Sequence, residues 1–173
     1  MSRRTLLLLA LFFGAFNAYA GELAIGGVTL SLGKEREPTI KALQAASFSL
    51  SPNCSATAFC VVFEGKRPNS TVIGSVTFKD GRLIAASRQW GAFQNRVNPV
   101  QISKALLAAL ESAQAATGAE PSIKSQVQRA PGAEVTTLEF IFPGRRVSVL
   151  TTDGDSKYGQ QVSISEFIQE APK

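Results

Sequence analysis

No histidine occurs among the 173 residues, so imidazole-based triads, histidine metal sites and a histidine pH switch are excluded. What chemistry remains must come from carboxylates, hydroxyls, amines and guanidinium groups. Asp153-Gly154-Asp155 offers two carboxylates to calcium, but the rest of a twelve-residue calcium loop, with its closing bidentate Glu, is missing. Asp153 and Asp155 are therefore weak metal candidates in a solvated hairpin loop, and no metal or cofactor is expected. Glu35 with Glu37 and Glu134 with Glu139 are the other near-neighbour carboxylate pairs. A glycosidase needs two such groups ~5–9 Å apart across a cleft, and no spacing here puts either pair in one. Gly-x-Ser-x-Gly is absent. Ser103-Lys104 and Ser122-x-Lys124 lack the Ser-x-x-Lys spacing that sets hydroxyl and amine on one helical face. No catalytic residue is assigned.

Binding chemistry is better represented. Arg82, Arg88, Arg96, Arg145 and Arg146 lie in or beside two expected hairpins. They form either a basic face for an anionic envelope polymer or acidic protein, or ordinary edge charges that keep strands apart. Trp90 closes a strand ahead of a loop and Phe93 follows it. Arg and Trp are enriched at binding hot spots, so Arg88, Trp90, Phe93 and Arg96 are the candidate binding residues. The alternative for Trp90 is a core position under the loop.

The N-terminus states where the protein goes. Met1-Ser2-Arg3-Arg4 is a short basic start, Leu6 to Phe16 is apolar, and Ala18-Tyr19-Ala20 places small residues at the positions a signal peptidase reads. The apolar run is about 11 residues, short of the ~20 that span a bilayer. Residues 1–20 are thus expected to be a cleavable signal. Removing them takes Arg3 and Arg4 from the 18 basic residues, leaving 16 against 13 acidic, a net charge of +3. That is too small to argue for nucleic acid, and no stable membrane insertion is expected after cleavage. The remaining chain is long enough for one core, with roughly 70% of the unfolded surface buried. Cys54 and Cys60 are the only cysteines. Export, an even count and close spacing predict one structural disulfide, contributing about 2 kcal/mol by chain entropy. A redox-active pair would prefer Cys-x-x-Cys at a helix start. The compartment is periplasmic or secreted.

The elements that position these residues follow from local pattern. Val28, Leu30 and Leu32 alternate as a short strand. A helix is expected from about Lys34 to Ala46, with Pro38 in its first turn and Glu35 and Glu37 where the dipole favours negative charge. Strands are expected at Phe48–Leu50, Phe59–Phe63, Val72–Phe78 and Arg82–Trp90. The last two flank Lys79-Asp80-Gly81, whose Asp-Gly suits the positive φ of a tight turn. Period two puts Val72, Gly74, Val76 and Phe78 on one face, and separates Leu83, Ala85, Ser87 and Gln89 from Ile84, Ala86, Arg88 and Trp90. Asn98-Pro99-Val100-Gln101 starts a second helix, with Ile102, Leu106, Leu110 and Ala113 on one stripe and Gly118 as the stop. Strands follow at Ile123–Arg129, Val135–Phe142, Arg145–Thr152 and Gln161–Ile168. The last carries Val162 and Ile164 in phase and Phe167 slightly out of it.

The expected class is α+β, a mainly antiparallel sheet packed by two helices, since the connections are too short for parallel crossovers. The order helix, four strands, helix, four strands divides the chain into a first half, 21–97, and a second, 98–173. They are either tandem helix-plus-four-strand repeats or parts of one domain. Leu30-Ser31-Leu32-Gly33, a helix, then Gly74-Ser75-Val76-Thr77-Phe78-Lys79-Asp80-Gly81-Arg82-Leu83 resembles small exported bacterial modules of the outer-membrane-assembly lipoprotein BamE type, over residues 28–90. The layout is also similar to the tandem α+β fold of β-lactamase-inhibitor-like proteins. The resemblance implies scaffolding or protein binding and transfers no catalytic residue. A lipobox Cys is missing, so membrane anchoring does not carry over. The expected function is an exported soluble, non-catalytic protein that binds another protein or an envelope component. The alternatives are an inhibitor of a secreted enzyme and a carboxylate-dependent hydrolase around Asp153 and Asp155.

Overall fold

Gly26 and Gly27, at φ of 54° and 87°, turn the chain between β1 (Glu22–Ile25) and β2 (Val28–Ser31), a two-stranded antiparallel hairpin. Only β2 is visible in the sequence, because Leu23-Ala24-Ile25 is uniformly apolar and shows no alternation. The computed structural model describes residues 21–52, 54, 57–65, 68–94, 98–154 and 159–170. The expected signal at 1–20, Arg96 and Asp155 lie outside the described residues.

After the hairpin comes α1 (Arg36–Ala45), led in by Glu35 and with Glu37 in its first turn. Next are β3 (Ser49–Leu50), β4 (Phe59–Glu64), β5 (Thr71–Lys79) and β6 (Arg82–Gln94). Asp80 and Gly81 take φ of 50° and 75° in the β5–β6 turn, the conformation Asp-Gly tolerates best. The turn is held against the lead into α1: the Arg36 N–H donates to the Gly81 carbonyl and the Leu83 N–H to the Lys34 carbonyl, both at 2.8 Å. Then α2 (Pro99–Thr117) begins at Asn98, whose side chain accepts from the Val100 N–H at 3.0 Å, and stops at Gly118 in the left-handed region. β7 (Ser122–Ala130), β8 (Ala133–Phe142), β9 (Arg145–Gly154) and β10 (Gln160–Gln169) complete the chain.

Strands β3 to β10 form one antiparallel sheet in the order β3-β4-β5-β6-β10-β9-β8-β7. Two meanders therefore meet through their last strands, with β6 paired to β10 at the centre. The chain is mostly β rather than an even balance of helix and sheet. Both helices lie on one face. Leu43 of α1 packs with Val62, Val76, Phe78, Leu83 and Ile168 beneath the β1–β2 hairpin. Ala109 and Ala113 of α2 pack with Phe142, Val147 and Ile164. Ile164 and Ile168 are four apart on β10, so the two core clusters share that face. The small residues of α2 let it approach closely; a Cβ on Gly91 would stand 3.4 Å from the Ala105 Cβ.

Bulges break the strict alternation. Phe78 pairs with Leu83 but Thr77 pairs with Ala85, so Ile84 is an extra residue. Leu83 consequently joins Ala86 and Arg88 on the covered face, a correction to the period-two assignment. Val72 moves likewise: it pairs with Phe63 while Gly74 pairs with Val62, which leaves Ile73 extra.

Candidate functional site

Between the two core clusters lies a polar seam. Val162, Ile164, Glu166 and Ile168 alternate along β10, and Glu166, at 0% exposure, occupies a position the pattern reserves for an apolar side chain. Arg145, at the start of β9 and 6% exposed, donates through Nη1 to Glu166 Oε1 and through Nη2 to the Glu22 carbonyl of β1. The Trp90 indole N–H donates to Glu166 Oε2 at 2.9 Å, and the Ser112 hydroxyl of α2 donates to Oε1 at 3.3 Å. The carboxylate thus ties β6, β9 and α2 to β10, and Arg145 carries the network on to β1. Its burial is compensated by a charge and two further donors, as a buried carboxylate requires.

The seam also takes the first-choice binding residues. Trp90 is the extra residue of a second bulge in β6, because Ile164 pairs with Gly91 and Ser165 with Gln89. Trp90 and Phe93 are partly buried and pack against the cluster under α2. Arg88, opposite Glu166 in the β6–β10 register, lays its guanidinium over the Trp90 ring at 3.7 Å from the centroid. The structure therefore brings Arg88, Trp90 and Phe93 together on the helix-covered face. Of the five arginines, the four in the described residues do not form one basic face. Arg82 reaches the Gly33 carbonyl near α1, Arg88 and Arg145 lie in the seam, and Arg146 is on the opposite face.

That opposite face is crossed by no described helix. Register pairs place residues across it in rows. One row runs Val61, Ser75, Ser87, Phe167, Arg146, Ile141. The next runs Gln89, Ser165, Ser148, Glu139, and a third includes Ala92, Ser163, Leu150 and Thr137. The floor is small and hydroxyl-rich, with Ser75 and Ser87 sharing a hydrogen bond at 2.7 Å. Phe59, Leu150 and Ile141 are exposed on it. The charges are balanced locally: Arg146 pairs with Glu139 at 3.0 Å and stacks over Phe167 at 5.0 Å. A cavity of about 220 Å³ is lined by Ile141, Arg146, Phe167 and Gln169 among others.

Sequence reasoning missed this face, and Glu166 with it. The available signal was Glu166 in the apolar phase of β10, which puts Phe167 on the open side rather than slightly out of phase with Val162 and Ile164. Asp153 is exposed at the end of β9, opposite Glu134, and Glu134 is already bonded to Arg129 at 2.8 Å. No carboxylate lines the 220 Å³ cavity, and the described residues contain no group of three or more metal-ligating side chains. Cys54 and Cys60 are disulfide-bonded, joining the loop before β4 to β4 itself. Among the described residues, no helix is long and apolar enough to cross a membrane. Comparison with protein-family models, curated proteins and solved structures finds no match for this chain.

Proposed function

We propose that this is an exported, non-catalytic binding protein that docks a partner protein on the open face of its eight-stranded sheet, in the periplasm or outside the cell. The observation that carries this is the one-sided packing. Both helices cover one face, while the other presents Phe59, Leu150 and Ile141 on a sheet surface rich in Ser and Thr. Exposed apolar side chains set among hydroxyl and amide groups are a mixture that a protein partner can cover. Export is supported by the basic, apolar and Ala-x-Ala pattern of residues 1–20 and by the disulfide. The finer reading, a tandem repeat of helix plus four strands in a BamE-like or inhibitor-like layout, draws its support from strand order: each meander follows one helix. An inhibitor of a secreted enzyme is the form of this function that the layout favours.

The test is capture from the native envelope and culture medium with the full chain. Leu150→Arg and Ile141→Arg put charge on the open face at exposed positions. They should lose the captured partner, while Leu107→Arg on the outer side of α2 keeps it. Loss by Leu107→Arg alone, with both open-face variants still binding, would move the site to the helical side.

A further inference from the structure

The sheet ends differently at its two edges. At one edge is β3, only two residues long; at the other is β7, with nine. β7 pairs with β8 without a bulge, from Ser122 opposite Ile141 to Ala130 opposite Ala133. Its outer edge is therefore straight, and alternate backbone N–H and C=O groups point away from the sheet. On the helix-covered side, Ile123 continues the row of Phe140 and buried Val147, yet it is 66% exposed, and Val127 is 51% exposed. α2 packs on β6, β8, β9 and β10 and leaves both in solvent.

We infer that β7 pairs antiparallel with β7 of a second copy of this chain, about a two-fold axis through Ser125. The sequence of the strand is self-complementary in this register. Ile123 faces the partner's Val127, and Val127 faces the partner's Ile123, so both exposed apolar residues gain an apolar mate. Lys124 faces Gln126 and Ser122 faces Gln128, so no like charges stand opposite each other. A register centred on Gln126 instead would set Ile123 against Arg129. Arg129, bonded to Glu134 within its own copy, falls outside the paired stretch. The contact is isologous and consumes the same edge of both copies, so assembly closes at two. β3 is too short to extend a filament. Directly opposed residues point to the same side, so both open faces end up on one side of a continuous sixteen-stranded sheet.

Seven paired residues make a contact smaller than a standard interface of ~800 Å² per partner, so a weak, reversible dimer is expected. Sedimentation equilibrium from micromolar to millimolar protein should show a reversible monomer–dimer transition. Ser125→Lys sets two ammonium groups face to face on the axis and should weaken the dimer at least about tenfold. Ser125 is exposed, so unchanged circular dichroism checks the fold. Ser125→Cys should cross-link to itself on mild oxidation, because opposed Cβ atoms are ~4.5–5.5 Å apart. Ile123→Cys should not, yet it should cross-link when mixed with Val127→Cys. A wild-type chain that stays monomeric throughout, a dimer indifferent to Ser125→Lys, or self-cross-linking of Ile123→Cys as fast as Ser125→Cys would each overturn the arrangement.

Discussion

Glu166 is held where β10 would otherwise place an aliphatic side chain, and its partners come from three other elements. A buried carboxylate of this kind is stable only while its countercharge and donors stay in place. Glu166→Gln keeps the shape but removes the countercharge from a guanidinium that is 6% exposed. Breaking a buried pair in this way costs about 3 kcal/mol, so the urea midpoint should fall accordingly. A loss below about 1 kcal/mol would mean that water already screens the pair. Trp90 is the only tryptophan, so its fluorescence reports on the seam alone. A blue-shifted emission in the wild type that moves to the red in Glu166→Gln is the matching signature. At this scale the sequence was legible in part. Arg88, Trp90 and Phe93 do come together, but under α2. The expected end of the strand at Trp90 is corrected as well: β6 runs on to Gln94 through a bulge at Trp90, and local pattern does not say which face a bulge will give an aromatic.

The elements themselves were largely legible because their determinants are local. Asn98-Pro99 and Gly118 bracket α2, and Asp80-Gly81 turns β5 into β6. Bulges were not legible, since an extra residue such as Ile84 or Trp90 is set by the partner strand and leaves no mark in its own. The β1–β2 hairpin was half visible for a related reason: its place is fixed by contact with the sheet. Gly74 shows how tight that contact is. A Cβ there would stand 2.8 Å from Ile25 Cδ1 and closer still to the Ser87 carbonyl oxygen. Gly74→Ala should therefore cost about 1–3 kcal/mol by overpacking, despite the better strand propensity of Ala. Thermal unfolding measures this, and an unchanged midpoint would show that the hairpin and the β6 backbone at Ser87 both give way at little cost.

For the molecule as a whole, one sheet carries both halves, and the β6–β10 pairing joins them. The disulfide staples the β3–β4 connection near the short edge, far in sheet order from β7. Its reduction should cost about 2 kcal/mol through loop entropy and leave the β7 edge unaffected. Chemical unfolding with and without reductant tests the first part, and sedimentation of the reduced protein tests the second. The sequence by itself determined the kinds of most elements with bounds close to those observed, β1 and the far end of β6 excepted, together with the absence of imidazole chemistry and the pairing of two cysteines six apart. Those depend on turns, caps and periodicities that span a few residues. Only the tertiary structure decided which strands meet at the centre, that both helices share a face, that Arg82, Arg88, Arg145 and Arg146 are dispersed, and that Glu166 is buried. The physical reason is separation along the chain. Trp90 and Glu166 are 76 residues apart and bond at 2.9 Å, and no local preference encodes the sheet order that brings them together.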